Sequence, residues 1–319
     1  MKDKYRMLCE KNPSIPIFSQ SWWLDAVCGM EGWEVLLVEK GGEVVASWPY
    51  NVRKKYGMQW VYMPTLTQTL GIWLKYPDGQ KYAKRLPYEK ELIDELINRF
   101  PSVDFFWQQF HYSITNWLPF YWRGYKQTTK YTYVIDDLSD LEAVFANFEH
   151  AKRKNIKRAE SLVSVKFDLG ADAFYENHKM TLAKQGETIS YSREVFERMY
   201  QACYQNNAGK TIYAVDADNH LHAALFIIWD SNSAYNLIST IDSEYRNSGA
   251  ASLLVREAIR FVSDKTAKFD FEGSMIEGVE NSFRQFGAVQ RPYFAISKNS
   301  RRFRVCQSLR ELAISMLKG

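Results

Sequence analysis

The sequence predicts a mixed α/β chain folded as two domains, residues 1–140 and 141–319. Its 319 residues give two domains at about 150 residues each. β-branched runs joined across Gly or Asp turns alternate with segments whose apolar residues recur three and four apart, so strands and helices are interspersed. Both halves also repeat one order of elements, with helices, a hairpin, a helix and then late strands, as a duplicated fold would. The second domain is expected to end in a basic helix.

Composition narrows the class. At 46% hydrophobic and 15% aromatic residues the chain is too apolar to be disordered over most of its length. Its net charge of +4 does not by itself indicate nucleic acid, and what matters is where the charge sits. Cys9, Cys28, Cys203 and Cys306 lie far apart, without the paired spacing of a zinc knuckle or a disulfide framework, so a reducing cytoplasm is the expected location. The opening MKDKYRMLCEKNPSIP has no apolar core of a signal peptide. The longest apolar run, Ala223 to Trp229, falls far short of the ~20 residues of a membrane span, and none is expected.

Along the chain, SQSWWLDAVCG reads as a helix capped by Ser19 or Ser21. WEVLLVEKGGEVVASWPYNV reads as a hairpin whose Gly41 and Gly42 supply a tight turn. MQWVYMP is a third strand. Tyr82 to Phe100 follows as an amphipathic helix, with Leu92, Leu96 and Ile97 opposite Glu89, Lys90, Glu91 and Glu95. VDFFWQQF and YKQTTKYTYVIDD are strands, after which Ser139 caps a helix through Leu141, Val144, Phe145 and Phe148. The second half continues as strand SVKFDL, helices AFYENHKMTLAKQG and SREVFERMYQACYQN, hairpin TIYAVDADNHLHAALFIIWD and strand SAYNLISTID. Helix GAASLLVREAIRFVSDK, strand KFDFEG, helix GVENSFRQFG and strand RPYFAISK complete it.

Two of these junctions carry chemistry. Ala251, Leu254, Val255, Ala258 and Val262 recur at helical spacing, so Gly249, Ala250 and Ala251 stand at a helix start, preceded by Arg246, Asn247 and Ser248. A helix N-terminus offers unpaired N–H groups and a positive dipole end, and small residues let a diphosphate reach the backbone beside Arg246. The competing reading is a small-residue start used for packing alone. In FDFEG, Asp270 and Glu272 fall on one side of a strand and Phe269 and Phe271 on the other. Two carboxylates in one partly desolvated cleft cannot both ionise easily, so one rises toward the pKa of a general base. On a solvated face the pair would do nothing.

The stretch Arg246-x-x-Gly249-x-Ala251, between a strand and an amphipathic helix, resembles the pyrophosphate-binding loop of GNAT acyltransferases, which hold coenzyme A there. With KRKNIKRA (Lys152 to Ala159), FDFEGS, NSFRQFGA (Asn281 to Ala288), WWLDAV and NWLPFYWRGYKQTTKYTYVID, the likeness spans most of the chain and points to FemAB-like proteins. Those are tandem GNAT-fold chains, some of which transfer amino acids from aminoacyl-tRNA onto peptidoglycan precursors. The resemblance implies two tandem GNAT-like domains and an amine that attacks a thioester or ester. Acyl-CoA or acetyl-CoA is the first donor and aminoacyl-tRNA with a cell-wall precursor the alternative. A non-catalytic binding protein on a worn GNAT scaffold is the distant alternative.

The resemblance also assigns roles. Phe283 and Arg284 stand where the aminoacyltransferases have an aromatic and a lysine thought to stabilise the oxyanion. A guanidinium can do that electrostatic work but cannot act as a base. Lys152, Arg153, Lys154, Lys157 and Arg158 concentrate cations suited to phosphates, with Lys154 and Arg158 as candidate contacts; Asn281 to Arg310 holds seven cations and no acid, and Arg53, Lys54 and Lys55 form a third cluster. Solvated helix faces are the plain alternative. His220 and His222 flank Leu221 with no third ligand placed by spacing, so no metal is expected.

Overall fold

The computed structural model describes residues 1–273 and 275–318, with the side chains of residues 312, 313 and 315–318 set aside. It divides into two compact units, residues 1–130 with 292–319 and residues 131–291.

The first unit runs α1 (Lys2–Lys11), α2 (Ser21–Cys28), β1 (Trp33–Lys40), β2 (Glu43–Lys55), β3 (Met58–Tyr62), β4 (Trp73–Leu74), α3 (Tyr82–Arg99), β5 (Phe105–Gln109), α4 (Leu118–Trp122) and the start of β6 (Lys126–Ile135). β1, β2 and β3 form an antiparallel meander, and β5 pairs parallel to β3 after the α3 crossover. Gly41 and Gly42 sit at φ 59 and 82, the left-handed conformation that a two-residue hairpin turn requires. Both faces of this sheet are covered. Leu36, Val38 and Trp48 pack with Leu92 and Leu96 of α3, while Trp33, Val35 and Leu37 pack with Tyr5 and Leu24 of α1 and α2. Glu89, expected on the wet face of α3, is buried at 5% exposure. Arg85 Nε at 2.8 Å, Tyr76 OH at 2.9 Å and Asn116 Nδ2 at 3.0 Å donate to its carboxylate in place of water.

The second unit takes the rest of β6, then α5 (Leu141–Ala146), α6 (His150–Glu160), β7 (Ser164–Phe167), α7 (Ala171–Ala183), α8 (Arg193–Gln205), β8 (Gly209–Val215), β9 (Leu221–Trp229), β10 (Ala234–Ile241), α9 (Ala250–Val262), β11 (Phe269–Asp270), α10 (Glu277–Arg284) and the start of β12 (Val289–Asn299). The helix α11 (Arg301–Lys318) belongs to the first unit. Again three antiparallel strands, β8, β9 and β10, lead through a helix to a strand parallel to the last of them, β11. The expected repetition of elements is therefore present in the pairing as well. Asp140, not Ser139, caps α5: its Oδ1 accepts from Ala143 N at 3.0 Å. The helix stops at Ala146, and Phe148 packs in the core beyond it.

The division differs from a single cut at residue 140. β6 leaves the first unit at residue 130 and pairs with β11 through Val134 and Ile135, and β12 leaves the second at residue 291 and pairs with β5 through Ala295 to Asn299. Each unit's fifth strand is completed by a strand that begins in the other.

Candidate active site

The second unit opens where its parallel pair separates. β10 and β11 are matched only at Ala234 with Phe269 and Tyr235 with Asp270, yet β10 continues to Ile241. Phe271 N then donates to Tyr133 O, so the chain beyond Asp270 follows β6 and leaves β10. A register shift between Asn236 and Ile238 bends β10 at the same level. Parallel strands that part this way leave a cleft, with the N-terminus of α9 at the far end of β10.

The acid pair lies at the root of this separation. Asp270, on β11, is 1% exposed, and its Oδ1 accepts from Thr132 Oγ1 and from Glu272 N at 2.8 Å. Burial lifts its pKa to about 7 against the lowering effect of both donors. Glu272 is half-buried, its Oε1 fully so, and its pKa stands well above the usual carboxylate range, chiefly through burial and further through the Asp270 charge. Its φ of 60 is rare for a residue with a side chain. Gly273 follows at φ 67, and a Cβ there would meet the Tyr131 carbonyl at 2.2 Å. The turn out of β11 is thus pressed against β6, with the Glu272 side chain held at it. Both carboxyls are desolvated, but β11 ends at Asp270, so the turn and not strand alternation sets Glu272 beside it, and Thr132, distant in sequence, bonds Asp270. Ser274, the end of the FDFEGS stretch, lies outside the described residues.

The loop before α9 is packed closely against α6 on one side. Ser243–Ser248 forms a 3₁₀ turn and Gly249 takes φ 84 at the helix start. A Cβ on Gly249 would meet the Asn155 carbonyl of α6 at 2.2 Å, so the glycine is required by helix packing. Ala250 N donates to Ser248 Oγ at 3.2 Å, and Ser248 and Ala250 are buried. Ala251 is half-buried, whereas Arg246 and Asn247 are exposed. Arg158 reaches from α6 to the Asn247 carbonyl at 2.7 Å, which ties the basic helix to the loop, and Lys154 and Lys157 on α6 are exposed.

Three other expected residues fall elsewhere. Phe283 is half-buried and packs its ring, tilted, against Phe271 at 5.0 Å, a core contact that removes it from substrate stacking. Arg284 is 59% exposed and paired on its own helix with Glu280 at 3.2 Å and Asn281 at 2.7 Å. A guanidinium so neutralised and wet gives little to an oxyanion. Lys152, read with the phosphate-binding cations, is instead buried at 9% exposure. Its Nζ donates to Ser282 Oγ at 2.8 Å and lies 4.3 Å from the Phe286 ring centroid, and burial lowers its pKa to about 8. Sequence spacing also missed the company of the histidines: the ligand atoms of Asp216, Asp218 and His220 lie within 4.8 Å of one another, and His222 stacks on Tyr245.

Residues 146–278 match the family model described as "Acetyltransferase (GNAT) domain". The chain carries a GNAT acyltransferase domain. Solved structures similar over nearly the whole chain agree in fold. FemX is 12% identical, with 92% of this chain and 95% of that chain covered at a TM-score of 0.67. The C-terminal domain (DUF2156) of a putative lysylphosphatidylglycerol synthetase from Agrobacterium fabrum is 8% identical, with 96% and 94% covered at 0.55. L-PGS from Bacillus licheniformis is 10% identical, with 94% and 92% covered at 0.55. No curated protein matches the chain. The matched residues take in the β8–β10 meander, α9 and β11, together with the acid pair and the glycine loop. No helix among the described residues is long and apolar enough to cross a membrane.

Proposed function

We propose that the protein transfers an aminoacyl group from aminoacyl-tRNA to an amine on a cell-wall precursor. The carrying observation is the cationic edge beside the glycine loop, where Arg158 of α6 is bonded to the Asn247 carbonyl and Gly249 packs its Cα against the Asn155 carbonyl. The exposed Lys154, Lys157 and Arg246 and the loop-bound Arg158 give this edge of the GNAT domain a cationic surface suited to a polynucleotide backbone. Acyl-CoA, the first expectation from the loop pattern, ranks second on this ground. The first unit, with its own meander, crossover helix and parallel strand, is read as a second GNAT-like domain.

In this reading Glu272 is the general base. The attacking amine forms a C–N bond to the ester carbonyl and gives its proton to the Glu272 carboxylate. The C–O bond then breaks and the ribose oxygen of the departing tRNA takes that proton. Edge N–H groups of β10 beyond Tyr235 face the oxyanion. Asp270 is a positioning residue, because it is buried, fixed by Thr132, and bonded to the backbone of Glu272. Glu272→Gln is expected to lower aminoacyl transfer by about 100 to 10,000-fold with little change in tRNA binding. Transfer at the parent rate would remove Glu272 as base.

A further inference from the structure

The C-terminal helix carries a surface that acyl transfer does not use. Along α11, Arg301, Val305 and Leu309 follow one another at four-residue spacing and so share a row, with Arg302 beside it. Val305 is 52% and Leu309 61% exposed, a waste of apolar surface in water alone. The turn between β2 and β3 lies next to the start of this helix, because Arg302 Nη1 donates to the Gly57 carbonyl at 3.5 Å. That turn presents Tyr56, 80% exposed, after Arg53, Lys54 and Lys55. Between helix and turn runs a groove of about 990 Å³ with aromatic walls, Trp60, Phe105 and Phe303. Residues 53–57 and 301–311 together hold seven cations and one carboxylate, Glu311.

We propose that α11 and the β2–β3 turn form a docking surface for an anionic lipid bilayer. Exposed aliphatic side chains rimmed by arginines, with aromatic residues at the margin, are what an interfacial helix needs: the apolar row enters the headgroup boundary and the cations meet lipid phosphates. Charge alone would suit RNA equally. The aliphatic row decides for lipid, since a polynucleotide backbone gains nothing from Val305 and Leu309. The inference is independent of the donor and of the acid pair.

The test is co-sedimentation of the full chain with phosphatidylcholine vesicles, with and without phosphatidylglycerol, at low and raised salt. The expected result is binding that requires phosphatidylglycerol and weakens with salt. The double variant Val305→Asp, Leu309→Asp should lose most of it at an unchanged melting temperature. Arg301→Ala and Arg304→Ala should each weaken it about five-fold. Absence of binding, equal binding to neutral vesicles, or full binding by the double variant overturns the proposal. So does tRNA binding that depends on Arg301 and Arg304 while vesicles capture nothing.

Discussion

Asp270 and Glu272 illustrate how two residues of the same type take different duties. Asp270 is enclosed and hydrogen-bonded twice, whereas Glu272 is only half-buried. Because Asp270 titrates at about 7 in the folded chain, above an ordinary carboxyl at about 4, the native state holds its proton more tightly. Its contribution to stability is complete below about pH 4 and is lost as pH rises through about 7. Asp270→Asn should therefore melt progressively higher than the parent between about pH 5 and pH 8, a difference that thermal unfolding at a series of pH values reads directly. A constant difference would mean that Asp270 is not desolvated. The two carboxylates two apart were legible in FDFEG, but not by strand alternation: β11 ends at Asp270, and a left-handed turn at Glu272 holds its backbone N–H on Asp270. Thr132 was not, because a partner 138 residues away is chosen by the fold.

Among the elements, α6 and the loop before α9 depend on each other through Gly249. A methyl group there would sit 2.2 Å from a backbone oxygen that no side-chain rotation can move, at a φ of 84. Gly249→Ala is expected to cost about 3 kcal/mol or more and to lower the melting temperature whether or not a donor is present. A variant as stable as the parent that has lost only donor binding would restore the open cradle. Small residues at a helix start read alike in the sequence whether a phosphate or another backbone approaches them. The approach of Asn155 depends on how α6 packs, and periodicity carries no trace of that. Most strands and helices were legible because turn residues and apolar spacing are local, whereas α1, α4 and the two-residue β4 were not read and β11 is shorter than KFDFEG. The cap of α5 was misplaced by one residue, from Asp140 to Ser139, as two neighbouring side chains both able to cap allow.

For the molecule as a whole, strand exchange sets what can fold alone. A fragment of residues 131–291 keeps the β6 segment beside β11 and should fold cooperatively, whereas one of residues 141–319 lacks that strand and carries β12 without β5. Circular dichroism melts should show a sigmoidal transition for the first and none for the second. The reverse would place the boundary near residue 140, where a cluster of acids made the sequence appear to divide.

The reading of aminoacyl transfer stands or falls on the donor. The direct measurement offers the purified full chain labelled aminoacyl-tRNA and labelled acetyl-CoA separately, and follows transfer to an amine-bearing nucleotide-linked cell-wall precursor. The account predicts label transfer from aminoacyl-tRNA and no change in melting temperature with acetyl-CoA. Stabilisation by acetyl-CoA, about 2.7 kcal/mol at 100 times its dissociation constant, together with transfer of its acetyl group, would contradict it.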